Sequence, residues 1–399
     1  MAASLNKAKT ISLIIAPSIT GCISSFASIS LIVSILRSNQ KLSTVYRRLI
    51  FCLSAFDVIQ SISQGMSSLP MPTGTVWGAI GNDVTCDIQG FLIATGFCGT
   101  VLYSLSLTVY FLLVVKYDMS EAKIKKYAEP FLHAVPIVYS LIGAISMYGT
   151  NNYNSAGPVC WIAPEPLNCE NDPEVECLSS GNSGAMKWIF AGGPLFGVFF
   201  VNCTILALIW RTYRSQAQRN QSYGNSPASR SSPRAQVKQG DEEEQEGKCF
   251  PCCPTQQCPI TINRSKSQSN TPRRPSILAD YLSRPSRASV RRLEEISRRA
   301  AAYVIGFMLC YIFTLIYRLI EMYGSVPTPY AIIILSRIFF PLQGFFNVII
   351  YTYPHVTSYR RNHSECNWFE AFWNVVKTGG DSDETRTGRT GRRGSGIRI

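Results

Sequence analysis

Residues 88–115 read IQGFLIATGFCGTVLYSLSLTVYFLLVV, without one Asp, Glu, Lys or Arg. A helix that crosses a bilayer needs about 20 mainly apolar residues. In lipid every backbone N–H and C=O must find its partner within the chain, which a helix provides. The run therefore predicts a membrane-spanning helix. Working outward, six more runs have the same character: 11–36, 49–69, 131–148, 188–210, 300–319 and 330–353. The 188–210 run is also free of charge, the first is interrupted by Pro17 and Gly21, and the second is rich in Ser and Gln. A secretory signal peptide is the competing reading of the first run. The run is too long for such a segment's apolar region, and only ten polar-leaning residues precede it.

Composition agrees. Charged residues make up 16% of the 399, below the ~25% of soluble domains, while 46% are hydrophobic. Mean hydropathy is only +0.08, so apolar residues are segregated from a polar remainder. This excludes a wholly disordered chain and disfavours an ordinary cytosolic enzyme. It predicts a membrane protein with a long polar insert.

Lys and Arg in the connections give orientation. Residues 37–48 carry four, 116–130 four, 211–299 seventeen and the tail beyond 353 eight. The alternate connections, 70–87, 149–187 and 320–329, hold Lys187 alone. The N-terminus is thus expected outside and the C-terminus in the cytoplasm. The net charge of +13 is then mainly a topology signal, not a mark of nucleic-acid binding. Four of the fourteen cysteines, Cys86, Cys160, Cys169 and Cys177, fall on the outer side, where disulfides form. Four cysteines allow three pairings, and the spacing leaves them open. The Asn-x-Ser sequences at Asn263 and Asn362 lie on the inner side, so no glycosylation is expected there.

Ionisable groups at membrane depth are costly and mark function. Asp57 lies eight residues into the second run and Asn347 six from the end of the seventh, roughly 12 and 9 Å at the helical rise. They share a depth, and contact between them, direct or through water or sodium, is one reading. A protonated Asp57 satisfied by Ser54 is the other. Arg337 lies about 15 Å farther out than Asn347. A guanidinium there needs an anion. Either Glu321, beside Arg318 at the end of the sixth run, or another carboxylate supplies it, or a ligand does. His133 is placed at the inner membrane interface. The seventh run has no lysine, which disfavours a retinal protein.

These residues resemble a family. Seven runs with the N-terminus outside look like a G-protein-coupled receptor. Leu53-Ser-Ala-Phe-Asp57 resembles the second-helix signature, and Trp77-Gly78 resembles the first outer loop. Cys86 with Cys160-Trp161 resembles the bridge from helix three to the second outer loop. Pro341-Leu-Gln-Gly-Phe-Phe-Asn347, with Tyr351 and Pro354, resembles the seventh helix of the cyclic-AMP-receptor-like receptors of slime moulds, fungi and protists, which share features with the secretin-like class. The resemblance spans about residues 10–360 without the 211–299 insert. It implies a Cys86–Cys160 disulfide, leaving Cys169–Cys177 as a local staple. It departs at Val115-Lys116-Tyr117-Asp118, which is not Asp-Arg-Tyr, and at Val348, where rhodopsin-like receptors have proline. With about ten residues before the first run, no large hormone-binding domain is expected.

Residues 211–299 are rich in Ser, Arg, Gln and Pro without apolar periodicity, so a disordered third inner loop is expected, with helical ends at 211–218 and 288–299. Ser276, Ser286 and Ser289 follow arginines in the pattern basophilic kinases read, and phosphate there would alter what the basic strip docks. Cys249, Cys252, Cys253 and Cys258 admit zinc binding, S-acylation or idle thiols; adjacent Cys252 and Cys253 fit a tetrahedral metal poorly. Trp368, Phe369, Phe372, Trp373 and Val376 recur at helical spacing, flanked by Arg360, Arg361 and Lys377, so an amphipathic eighth helix is expected over 355–377, with Cys366 as an acylation site. A disordered tail covers 378–399.

The expected architecture is therefore an all-α bundle. Helices one to five fill 1–210, the loop 211–299, helices six and seven 300–354, then the amphipathic helix and tail. No catalytic or metal-binding pattern is present, so no enzyme and no cofactor are expected. The resemblance implies a receptor at the plasma membrane coupling a small extracellular ligand to a heterotrimeric G protein, with kinases, arrestin-like proteins and membrane lipid as further partners. It implies a ligand site at Arg337, Arg318, Glu321 and Trp161 and a switch at Asp57, Asn347 and Tyr351. The G-protein face is Lys116, Tyr117, Arg211, Arg214, Arg298 and Arg299. Arg337 with the resemblance makes the ligand anionic, a cyclic nucleotide being one such. A transporter or channel with Asp57 and Arg337 along its pathway, or a scaffold using the long loop, are the competing classes. No internal repeat favours the transporter.

Overall fold

The structure, a computed structural model, describes residues 2–165, 169, 183–224, 287–323 and 328–379. The chain divides into two compact units, residues 1–214 with 292–399 and residues 215–291; the first holds the bundle core. Among the described residues six helices are long and apolar enough to cross a membrane: α1 (Lys7–Arg37), α3 (Asp83–Val115), α4 (Glu121–Gly149), α5 (Ser183–Gln218), α6 (Arg291–Met322) and α7 (Tyr330–Asn362). This is the pattern of a multi-pass membrane protein. Between the first two lies α2 (Val45–Gly65), and after the last α8 (Trp368–Thr378).

The packing is that of a protein dissolved in lipid. On α4, Phe131, Val135, Val138, Ile142 and Ile145 form an exposed stripe at three- and four-residue spacing. The opposite face buries Leu132, Pro136, Ser140, Gly143, Ala144 and Met147. Small and polar residues thus face inward, as they do where lipid supplies no drive for apolar residues to leave the surface. The same inversion governs the second half of α2, which packs against both α1 and α3. Its first half buries Val45, Arg47, Leu49, Ile50 and Leu53, and its second half Ser54, Asp57, Gln60, Ser61, Ser63 and Gln64. Against α1 the approach is close: a Cβ on Gly21 would stand 2.6 Å from the Ser61 carbonyl oxygen.

Helix ends follow their caps. The Thr44 side chain accepts from Arg47 N at the start of α2. Asn82 with Thr85, and Asn367 with Glu370, form reciprocal capping boxes on α3 and α8. Gly379, at φ 70°, closes α8 in the left-handed conformation glycine favours.

Three expectations are corrected. Hydropathy predicts the second span over 49–69, yet α2 starts at Val45, where Thr44 caps it, and gives way to turns after Gly65. The seventh helix continues to Asn362 instead of ending near 354, so the segment assigned to an amphipathic helix from 355 is shared between α7 and α8. The connection after α4 is not all helix or loop: Tyr153–Ser155 (β1) and Cys160–Ile162 (β2) pair antiparallel, Ser155 opposite Cys160. Cys86 and Cys160 form a disulfide that pins this hairpin to the start of α3. Gln89 adds to the anchor, donating to Ser63 O and Ser67 O at 3.1 and 2.7 Å and accepting from Cys160 N at 3.0 Å.

Candidate functional site

Beneath the hairpin is a cavity of about 500 Å³. Its wall draws on α1, α2, α3, α5, α6, α7 and the hairpin, and it includes Arg337, Arg318, Glu321 and Trp161 together. Glu321 is taken by Arg318, whose Nη1 donates to Oε2 at 2.5 Å. Arg318 also lies over the Tyr317 ring. Arg337 is only partly buried and makes no hydrogen bond or ion pair among the described residues. The pairing of Arg337 with Glu321, one of the two sequence readings, is thus not formed. Among the described residues the wall sets Arg337 and Arg318 against the carboxylate of Glu321, so its charge is positive.

The floor is aromatic, and none of its members was singled out from the sequence. Phe97 of α3 stacks on Phe340 of α7 at 5.4 Å, and Tyr311 of α6 meets both, at 6.0 and 5.5 Å. Trp161 touches Phe97 edge-on from the hairpin at 6.3 Å. Phe340 owes its place to Pro341, which turns α7 into a 3-10 segment over Phe340–Leu342. Gln60 of α2 ties this floor downward, its Nε2 lying 3.4 Å from both Tyr311 Oη and Phe340 O.

One turn along α2 from Gln60 sits Asp57, 1% exposed. Asn347 Nδ2 donates to Asp57 Oδ2 at 2.7 Å, joining α7 to α2. Ser54 is not the partner, its Oγ lacking a hydrogen bond among the described residues, as do the nearby Gln60 Oε1 and Gln343 Oε1; the hydroxyl that faces Asp57 is that of Thr100. This layer of the bundle is thus buried and polar.

One turn beyond Asn347 comes Tyr351, stacked on Tyr46 of α2 with ring centres 6.4 Å apart. Tyr46 Oη is 3.1 Å from Tyr303 Oη of α6, and Tyr46 also packs on Tyr110 and Phe111 of α3. Four helices thus meet in one aromatic cluster at the basic end of the bundle.

At that end α2 and α4 are firmly joined. Arg48 forms a forked pair with Glu129, one arm at 3.0 Å, and donates to Leu42 O at 2.6 Å. His133, expected at the inner interface, is half-buried here: Nε2 lies 3.6 Å from Glu129 Oε1, and Nδ1 3.1 Å from Tyr103 Oη. Glu121 receives Val45 N at 2.6 Å and the Tyr110 hydroxyl at 3.3 Å. The network was not foreseen from the sequence, where its signal was Glu121 and Glu129, two of the three acids in the 116–130 connection. Lys116 lies over the exposed Tyr117 ring, and Arg214 over Trp210. Arg211 is exposed, while Arg298 and Arg299 pair within α6 with Glu294 and Glu295.

Cys169 is also disulfide-bonded. Cys177, Cys252, Cys253, Ser276 and Ser286 lie outside the described residues, as does the side chain of Ser289. Burial, then the Glu370 carboxylate, pushes the Cys366 thiol above its ordinary range. Among the described residues no group of three or more His, Cys, Asp or Glu is placed to hold a metal ion. No protein-family model matches the chain, and no curated protein matches it.

Proposed function

We propose that this chain is a seven-helix receptor that passes an extracellular chemical signal to a heterotrimeric G protein. The observation that carries the reading is a continuous column: a positively charged cavity, an aromatic floor, the Asp57–Asn347 bond and the Tyr46–Tyr303 contact, in that order along the bundle. In this reading α2 is the seventh span, its low hydropathy explained by the polar face it turns inward. In this reading, which the basic connections support, the N-terminus lies outside, the cavity faces the exterior of the plasma membrane and α8 lies along the inner interface. The chain is not an enzyme. Kinases and arrestin-like proteins would act on its inner loop and tail.

Activation is a population shift, and a ligand drives it only through its different affinity for the two packings. An anion between Arg337 and Arg318 draws α6 and α7 together, moving Tyr311 and Phe340. Gln60, Asp57 and Asn347 transmit the change, and the loss of Tyr46–Tyr303 frees the basic end of α6. Lys116, Tyr117, Arg211 and Arg214 then meet the G protein.

The test is nucleotide exchange on a panel of Gα subunits in membranes containing the protein. Exchange above background that falls in Asp57→Ala and in Lys116→Ala is expected. No exchange on any subunit, together with ion or solute flux in proteoliposomes, would replace the receptor with the transporter. A second expectation concerns the resting state. Tyr303→Phe removes one hydrogen bond between α2 and α6, a net stabilisation of about 1 kcal/mol. Ligand-free exchange should rise about fivefold; no rise would show that the contact does not hold the resting state.

A further inference from the structure

At the basic end, where α7 turns into α8, Tyr353, Val356, Thr357, Arg360, Arg361, Ser364 and Trp368 enclose a second cavity of about 420 Å³. Arg360 and Arg361 are both exposed, and neither makes an ion pair or hydrogen bond among the described residues. The acids nearby do not neutralise them. Glu370 is used in the capping box of α8 and by the Cys366 thiol at 3.6 Å. Glu365 is exposed and pairs with neither. Cations in the last turn of a helix are favoured by its free carbonyls. That explains why two arginines stand here, but it leaves their forked donors unused.

Beside the arginines the cavity sets the Thr357 and Ser364 hydroxyls against aromatic surface. Tyr353, on the membrane-length helix α7, is 58% exposed, and Trp368 and neighbouring Phe369, at the start of α8, are 40% and 74% exposed. Lys377 lies over Trp373 on the same short helix. The site thus sets two guanidiniums and the Ser364 hydroxyl beside bare aromatic surface. A soluble phosphate would use the first and leave the second in water. A phospholipid uses both, its phosphate on the arginines and its acyl chain along Tyr353 and Trp368.

We propose that the cavity between α7 and α8 binds the headgroup phosphate of an anionic phospholipid from the leaflet on the basic side. This rests on the membrane placement of the helices alone and not on the receptor reading. Juxtamembrane arginines attract anionic lipid, and a guanidinium fork matches phosphate geometry as lysine does not.

The test uses the full chain, purified in detergent and titrated with phosphatidylinositol 4,5-bisphosphate, phosphatidylserine or phosphatidylcholine while native mass spectrometry counts retained lipid. Retention of the anionic lipids over phosphatidylcholine is expected. Arg360→Gln with Arg361→Gln should weaken it about thirtyfold, with an unchanged melting temperature, since both side chains are exposed. Arg211→Gln with Arg214→Gln, basic residues outside the cavity, should leave it unaltered. Equal retention of all three lipids, or equal loss in both double variants, would overturn the site. Displacement of the lipid by inorganic phosphate or a water-soluble inositol phosphate at similar concentration would overturn the lipid assignment in favour of a free phosphate.

Discussion

Replacing Arg337 with alanine is expected to abolish the response to an anionic agonist while leaving the amount of protein at the cell surface unchanged. Arg337 projects from α7 into the cavity wall and makes no hydrogen bond or ion pair among the described residues. Its removal therefore breaks no internal pair and strands no carboxylate, the usual route by which loss of a buried charge destabilises a fold. Agonist binding should suffer instead. Truncating one member of a desolvated, hydrogen-bonded charge pair costs about 2–5 kcal/mol, or about 30-fold to several thousand-fold in half-maximal concentration. Arg337→Lys keeps the charge and loses the fork, so an intermediate curve is expected if the ligand is a carboxylate or phosphate. Arg318→Ala should do less to the ligand and more to the cavity wall, because it releases Glu321. A dose–response curve for Arg337→Ala that overlays wild type would remove the cavity as an anion site.

The sequence made some of this visible and hid the rest for physical reasons. Long uncharged runs such as 88–115 announce themselves, because no soluble fold accommodates them. The depth match of Asp57 and Asn347 follows from counting residues along two helices. The bounds of α2 were harder. Hydropathy looks for apolar surface, and α2 turns its polar residues toward α1, α3 and α7, so its window slid four residues toward Leu69 and missed the Thr44 cap. The aromatic floor was hidden differently. Phe97, Tyr311 and Phe340 come from three helices, and nothing in one helix's periodicity tells which aromatic faces a neighbour and which faces lipid. The contact of His133 with Glu129 and Tyr103 likewise depends on how α3 and α4 cross. The hairpin at Tyr153–Ser155 and Cys160–Ile162 is too short to leave an alternating pattern.

The same logic predicts that Gly96→Leu will eliminate folded protein whatever the chain's function. Gly96 sits in the uncharged run of α3, where a leucine looks as acceptable as its neighbours. In the bundle, however, a Cβ there would lie 2.7 Å from Gln60 N and 2.8 Å from Gln60 Cα, which are backbone atoms of α2 that cannot rotate away. Relief requires α2 and α3 to separate, and that loosens Gln60 from Tyr311 and Phe340 and moves Asp57 relative to Asn347. Overpacking one or two methylenes into a core costs about 1–3 kcal/mol where side chains can yield. Here the obstacle is backbone and the added group is four carbons. Gly96→Ala should lower the melting temperature by several degrees, and Gly96→Leu should leave no monodisperse peak in size-exclusion chromatography. Gly197→Leu is the matched control: it makes the same change in an uncharged run of α5, but at an exposed position with nothing within 4 Å of the new Cβ. It should behave as wild type in a membrane, since the added side chain meets only lipid. If Gly96→Leu folds as well as Gly197→Leu, the close contact of α2 with α3 is wrong, and with it the position of Asp57 beside Asn347.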